Sequence, residues 1–437
     1  MVKVSLIGAG SHFTLGLLGD FFRVNDLWGS TFCLMDIDEK RLKVVESTVR
    51  AVVERRGKEL KVEATTSLKE AVEGADFIIC AIRAGGIDAL RLQVEIPLKY
   101  GADHLVGDTT GPGGILKALL EVPAVLKIAR CIEDYSPKAL LINFTNPMTP
   151  VCTAVSLYTK VNVIGLCHGV YHIVKLASKL LNVDSREISV HAGGLNHFTW
   201  TTEVVYRGES VFSVLVKELF SPSKYDIVEK HPYLIGRELY KVFRVLPTLS
   251  DRHFAEFFPY LKYWLNHPKY GPVLKKVSGI IDFERMRLSK YIAERKEDFA
   301  SELSAVARGE KEIKPLGEYA LDTISSLVHD RKLKLLAINI PNKGLISGLP
   351  SEIAVEVPVV IDGRKIEGVS VKLPDAVKAW LRLHSEKYLL LVKGIVEGSM
   401  ELVEQAMVPD PLTPSLEAAE NILKEYLSEL KRLGMMP

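Results

Sequence analysis

Short apolar runs alternate with stretches of helical period along the first part of the chain. Val2–Ile7, Thr31–Met35, Phe77–Ala81, Leu140–Phe144 and Val161–Gly165 read as strands, and Asp38–Val53 and Gly114–Tyr135 between them read as amphipathic helices. Strands separated by helix-length segments predict βαβ units, hence an α/β fold with a Rossmann-like, doubly wound parallel sheet over residues 1–195. After Trp200 the pattern changes. Phe212–Phe220, Tyr233–Phe243 and Ile281–Val306 carry a helical period, and residues 247–273 form loops rich in His, Pro and Tyr. Leu333–Ile340 and Ile353–Val360 are strand-like, and long helices are expected near 375–407 and 413–433. Residues 196–437 are therefore expected to form an α+β domain for substrate binding and oligomerisation.

Composition narrows the class. The 437 residues are 47% hydrophobic and 25% charged, ample for an extended core. With 56 Lys and Arg against 54 Asp and Glu, the net charge of +2 gives no global field that would favour nucleic acid or a membrane surface. No apolar run approaches the roughly 18 residues of a spanning helix. The first strand starts at once, without the regions of a secretory signal, and the five cysteines are scattered and odd in number. A cytoplasmic protein is expected.

Chemistry begins at Gly8-Ala9-Gly10-Ser11, which follows the first strand and opens a helix. Glycine permits the tight turn and lets a pyrophosphate approach the backbone at a helix N-terminus. Asp36 ends the second strand, at the distance where an acid accepts adenosine ribose hydroxyls and repels a 2′-phosphate, favouring NAD over NADP. Phe13 stands where the third fingerprint glycine would be.

Polar segments then recur at predicted strand ends: Gly107–Pro112, Asn143–Met148, Gly165–Gly169 and Gly194–Phe198. In an open α/β sheet such ends line the ligand crevice. Cys167 and His197 would suit a borderline divalent ion, one thiolate and one imidazole, with substrate oxygens completing the shell. From the residues alone, such a pair is more often a core cysteine and a satisfied histidine.

The order and spacing of Ile7–Ser11, Leu34–Asp38, Asn143–Met148, Cys167–Gly169, Gly194–His197, Asn339–Gly344 and Asp410-Pro411 resemble glycoside hydrolase family 4 over nearly the whole chain. The resemblance implies NAD+ and a divalent metal, Mn2+ or another such as Co2+ or Ni2+. It also implies oxidation at sugar C3, deprotonation at C2 and elimination, a known exception to paired-carboxylate hydrolysis. On that basis Gly8, Gly10, Ser11, Asp36 and Asn143 bind the cofactor, and Cys167 and His197 hold the metal. Asn146 contacts the C2 and C3 hydroxyls. Asp251 is the C2 base, with Tyr260 or Tyr263 as alternatives, and Asp108 or His168 is the acid.

Substrate class follows from the same resemblance. His168 after the metal-binding cysteine matches the members acting on glucosides, galactosides and uronides rather than phospho-sugars. Arg91 matches an arginine that contacts the phosphate in phospho-sugar members. Gly107–Gly114 and Asp251–Phe257 are most similar to α-galacturonidases, with His253 and Arg252 beside the sugar and Arg252 suited to a C6 carboxylate. An α-galacturonidase or α-glucuronidase acting on a small α-glycoside or oligouronide is expected, with neutral α-glucosides or α-galactosides as the alternative. A homodimer or homotetramer is implied. An NAD-dependent sugar or hydroxy-acid dehydrogenase would share the N-terminal fold, but would accumulate NADH.

Overall fold

The computed structural model describes residues 1–277, 299–363 and 365–436. Six strands, β1 (Lys3–Ile7), β2 (Thr31–Met35), β3 (Lys61–Thr65), β4 (Phe77–Cys80), β5 (Leu140–Asn143) and β6 (Asn162–Gly165), lie parallel in the order β3-β2-β1-β4-β5-β6. This is the Rossmann order. β4 is buried at every residue, as expected for a parallel strand covered by helices on both faces. β3 carries Lys61, Glu63 and only short apolar residues at the sheet edge, so it lacks the apolar run that marks its neighbours.

The sheet does not stop at β6. It continues through β11 (Leu333–Pro341), β12 (Ala354–Asp362), β7 (Ile188–Leu195), β8 (Phe198–Tyr206) and β10 (Leu246–Pro247), all antiparallel to their neighbours. β9 (Glu209–Ser210) pairs with β8, and β13 (Lys365–Gly368) with β12. The boundary expected at 195 therefore falls in the turn of the β7–β8 hairpin, and both groups of strands share one sheet.

Helices Phe13–Arg23 and Glu39–Arg55 pack with one apolar cluster, and Gly111–Tyr135, Met148–Tyr158 and Asp375–Glu397 with another. The helix expected over 375–407 is broken. Gly398 adopts φ +69 and its N–H bonds the carbonyls of Gly394 and Ile395, after which Ser399 caps Met400–Met407. Residues 299–308 are helical, whereas most of the helix expected over Ile281–Val306 lies outside the described residues. Residues 247–273 hold short helices, Asp251–Phe254, Leu261–Asn266 and the start of Gly271–Val277. No helix among the described residues is long and apolar enough to cross a membrane.

Candidate active site

One hydrogen-bonded row crosses four strands. Gly165 of β6 is opposite Asn339 of β11, Asn339 is opposite Glu356 of β12, and Glu356 is opposite Gly194 of β7. Cys167 lies two residues beyond one end of this row and His197 three beyond the other. The glycines are steric necessities: a Cβ on Gly165 would meet Met148 Sδ at 2.6 Å, and one on Gly194 would meet the Phe198 carbonyl at 2.3 Å.

Side chains knit the row together. Glu356 is 0% exposed and accepts from Asn196 Nδ2 at 2.7 Å, Asn339 Nδ2 at 3.0 Å and Thr199 Oγ1 at 3.1 Å. Burial pushes its carboxyl up against those three bonds. Asn196 also hydrogen-bonds Cys167, whose sulfur takes the Gly169 N–H at 3.4 Å. Burial, and then the Glu356 charge, push the Cys167 thiol up. A bound cation would reverse that balance. The Oδ1 atoms of Asn146, Asn196 and Asn339 are buried without a hydrogen-bond partner.

The loop before helix Gly111–Tyr135 meets His197. Thr109 Oγ1 bonds Asp108 Oδ1 at 2.8 Å and lies 2.8 Å from His197 Nδ1. The His197 ring is 4.7 Å from that of His253, and Arg252 Nε donates to His253 Nε2 at 3.4 Å. Burial works against the Asp108 charge, but Lys117, His197 and His253 hold this carboxyl well below its usual range. Lys117 is 8% exposed and forms no ion pair among the described residues, while its charge acts on Asp108, Glu121 and His197. Glu256, 1% exposed, faces the loop that leads to Asp108. One of its oxygens accepts the N–H groups of Leu105 at 2.5 Å, Val106 at 2.7 Å and Gly107 at 3.1 Å, anchoring the approach to Asp108.

At the other end of the crevice, Gly8 has φ +97, and a Cβ there would strike the Ala81 carbonyl at 2.3 Å. Gly10 N donates to Asp36 Oδ2 at 2.7 Å, and Asp38 N to Asp36 Oδ1 at 2.9 Å. Each oxygen keeps a lone pair for a hydroxyl. Ser11 bonds back to Gly8 O at 3.2 Å just before helix Phe13–Arg23. Phe13 packs on Phe144, ring centroids 4.7 Å apart, so an aromatic contact replaces the missing glycine.

Two of the candidate residues have structural partners of their own. Asn143 is 0% exposed, and its amide is spent on Thr145 O at 2.9 Å, Thr145 N at 3.2 Å and Cys152 Sγ at 3.8 Å. Its side chain shapes the loop rather than facing a cofactor. Asp251 is 2% exposed and caps helix Leu234–Phe243, accepting from Ile235 N and Gly236 N at 2.9 Å each. A carboxylate so engaged caps the helix. Tyr260 and Tyr263 are exposed, at 50% and 62%, and pack on Trp264 and His267. Arg91 sits on helix Gly86–Lys99, 3.8 Å from Glu95. His168 keeps Nδ1 without a partner, and burial lowers its pKa, so it is uncharged at neutral pH. Sequence reasoning missed Lys117, Thr109, Glu356 and the residues that line a small cavity with Cys167 and His168, namely Tyr171, Glu318 and Tyr319.

These residues fit both a dinucleotide and a metal. The cradle at Gly8 and Gly10 leaves no room for side chains. Among the described residues no three His, Cys, Asp or Glu gather around one point, so Cys167 and His197 would need substrate or amide oxygens to complete a shell. A larger groove at the N-terminal ends of β4, β5 and β6 holds none of the candidate side chains.

Comparison with known proteins agrees with this arrangement. Residues 3–183 match the family 4 glycosyl hydrolases, and residues 192–413 match the C-terminal domain of the same family. The chain is 31% identical to an alpha-galacturonidase of Thermoanaerobacterium saccharolyticum (strain DSM 8691 / JW/SL-YS485), covering 99% of this chain and 96% of that one. It is 28% identical to an alpha-glucosidase of Erwinia rhapontici, covering 98% and 97%. The crystal structure of lplD from Bacillus subtilis superposes with a TM-score of 0.85 at 26% identity, covering 98% of this chain and 100% of that one. A 6-phospho-alpha-glucosidase from gut microorganisms, solved with NAD and Mn2+, shares the fold with a TM-score of 0.78 at 23% identity, covering 100% and 99%.

Proposed function

The chain belongs to the family 4 glycosyl hydrolases, and from that premise we propose that it hydrolyses α-linked uronic acid glycosides with NAD+ and a divalent ion such as Mn2+. The observation that carries the acid-sugar reading is Arg252, whose Nε lies against His253 beside His197. Lys117, 8% exposed, has the Asp108 charge beside it, and Arg252 adds a second cation acting on the same His197. A substrate carboxylate would match this cationic side of the site. The alpha-galacturonidase relative, at 31% identity over 99% of this chain, supports the same reading.

When bound, NAD+ offers a reversible hydride acceptor, and a divalent ion offers positive charge that acidifies the C–H bond beside a carbonyl. The chain's own residues do the rest. Gly8 and Gly10 admit the pyrophosphate, and Asp36 accepts ribose hydroxyls. Cys167 and His197 hold the ion, and Asn146 Oδ1 accepts a sugar hydroxyl. Asp108 stays ionised and therefore orients rather than donates. Proton exchange with the sugar falls to His168, uncharged and with an open ring nitrogen. Arg252 pairs with the C6 carboxylate, and Lys117 holds the Asp108 charge.

Nitrophenyl α-galacturonide and α-galactoside, assayed with NAD+, Mn2+ and a thiol reductant, test the proposal. Wild type should favour the uronide. Losing one charge-assisted contact in a closed site costs about 2–5 kcal/mol, so Arg252→Ala should lower kcat/KM on the uronide by about 30-fold or more. The galactoside should be little affected. Equal damage on both, or wild-type preference for the neutral sugar, would replace the uronide by a neutral α-hexoside.

A further inference from the structure

Two charges lie out of reach of solvent behind the loop that carries Asp108 and Thr109. Lys387, on helix Asp375–Glu397, and Asp410 have side chains 0% exposed and form an ion pair at 2.5 Å. Lys387 also donates to Thr110 Oγ1 at 2.8 Å and to His384 Nδ1 at 3.1 Å. One oxygen of Asp410 accepts the Gly111 N–H at 3.0 Å and the Thr110 hydroxyl at 3.2 Å, and the other accepts the Leu412 N–H at 2.9 Å. The neighbouring Tyr388 hydroxyl donates to the Thr109 carbonyl at 3.1 Å.

An ion pair buried this completely seldom improves on apolar packing, because both ions lose their hydration. Neither charge takes part in the chemistry above. What the group does is spatial: its contacts end on residues 109–111, the segment that touches His197. The Thr109 hydroxyl has one proton, and the carboxylate of Asp108, 2.8 Å away, can only accept it. Toward His197 Nδ1, also at 2.8 Å, the hydroxyl must therefore accept. His197 then carries its proton on Nδ1 and presents the lone pair of Nε2.

We propose that the Lys387–Asp410 pair, with Tyr388, is the positioning device for His197: it fixes residues 109–111, and Thr109 in turn fixes the ring and its tautomer. The inference rests on the reading of His197 as a metal ligand. Partners that orient a ligating histidine are typically worth about 10–100-fold in metal affinity.

The test uses the full chain, labelled with 15N-histidine for NMR without metal, and titrated with Mn2+ by electron paramagnetic resonance. Wild type should show His197 protonated at Nδ1. Thr109→Val should mix the tautomers and weaken Mn2+ binding about tenfold or more, and Thr109→Ser should restore both. The double variant Lys387→Met/Asp410→Leu strands no charge, and should show the same mixed tautomer and weakened binding. Should it fail to fold, Tyr388→Phe, which removes one hydroxyl, should show the same effects on a smaller scale. A folded double variant, or a Tyr388→Phe protein, with wild-type tautomer and Mn2+ affinity would overturn the proposal, as would an Nε2–H signal in wild type. His197→Ala with undiminished Mn2+ binding would instead overturn the ligand reading, leaving the NMR signal to decide the positioning claim.

Discussion

Replacing Asp251 by Asn separates a helix cap from a catalytic base. Both carboxylate oxygens accept buried N–H groups, from Ile235 and Gly236 at 2.9 Å. An amide keeps one acceptor and turns its NH2 toward the other donor, a loss of about 1–2 kcal/mol for a spoiled cap. Burial pushes the carboxyl from 3.8 up to about 7, with the N–H bonds pulling the other way. A carboxyl that holds its proton more tightly when folded contributes stability that is complete below about pH 4 and is lost as pH rises through about 7. At 1.36 kcal/mol per pH unit, the gap between the two values makes that loss about 4 kcal/mol. Asp251→Asn lacks this contribution. Urea midpoints should therefore put the variant well below wild type at pH 5, with the gap closing or inverting by pH 8. A difference that stays constant or widens with pH would refute the burial argument, and wild-type midpoints throughout would refute the cap. In heavy water at pH 7 the folded variant should still place deuterium at C2 of the released sugar. Abolished exchange in folded protein would restore Asp251 as the base.

Two further outcomes concern the cofactor turn and the proposed ion ligand. Gly10→Ala drives a Cβ to 2.7 Å from Asp36 Oδ2, so NAD+ affinity measured by calorimetry should fall about tenfold or more while the fold survives, since the clash removes a charge-assisted bond worth about 1.5–3 kcal/mol; unchanged affinity would mean the cofactor lies elsewhere. Cys167→Ser should lose most Mn2+ binding, because a serine hydroxyl is a far poorer anionic ligand than a thiolate; retained binding would make Cys167 a packing residue.

The strands that were legible from sequence are those buried on both faces, where apolar runs have no competing explanation: β1, β2, β4, β5 and β6 end within a residue of expectation. β3, half solvated at the edge, has no such signature. The dinucleotide turn was legible because strand, glycines and helix are contiguous. The other half of the site was not, because its partners are distant in sequence. Glu256 meets a loop 149–151 residues earlier, and Asp251 caps a helix that starts before it rather than after. Lys117 looks like an ordinary polar position on an amphipathic helix, and only tertiary packing brings its charge against Asp108. Cys167 and His197 were visible as residues, but their relation depends on strand order.

That order has a consequence for how the protein is made. Cys167 and His197 are separated by thirty residues, yet their strands are not neighbours: β11 and β12 stand between β6 and β7. A nascent chain exposes both side chains long before residues 333–362 leave the ribosome, and until then nothing holds them in register. On the proposed ligand reading, a truncated product ending near residue 300 should therefore emerge without an assembled Cys167–His197 site.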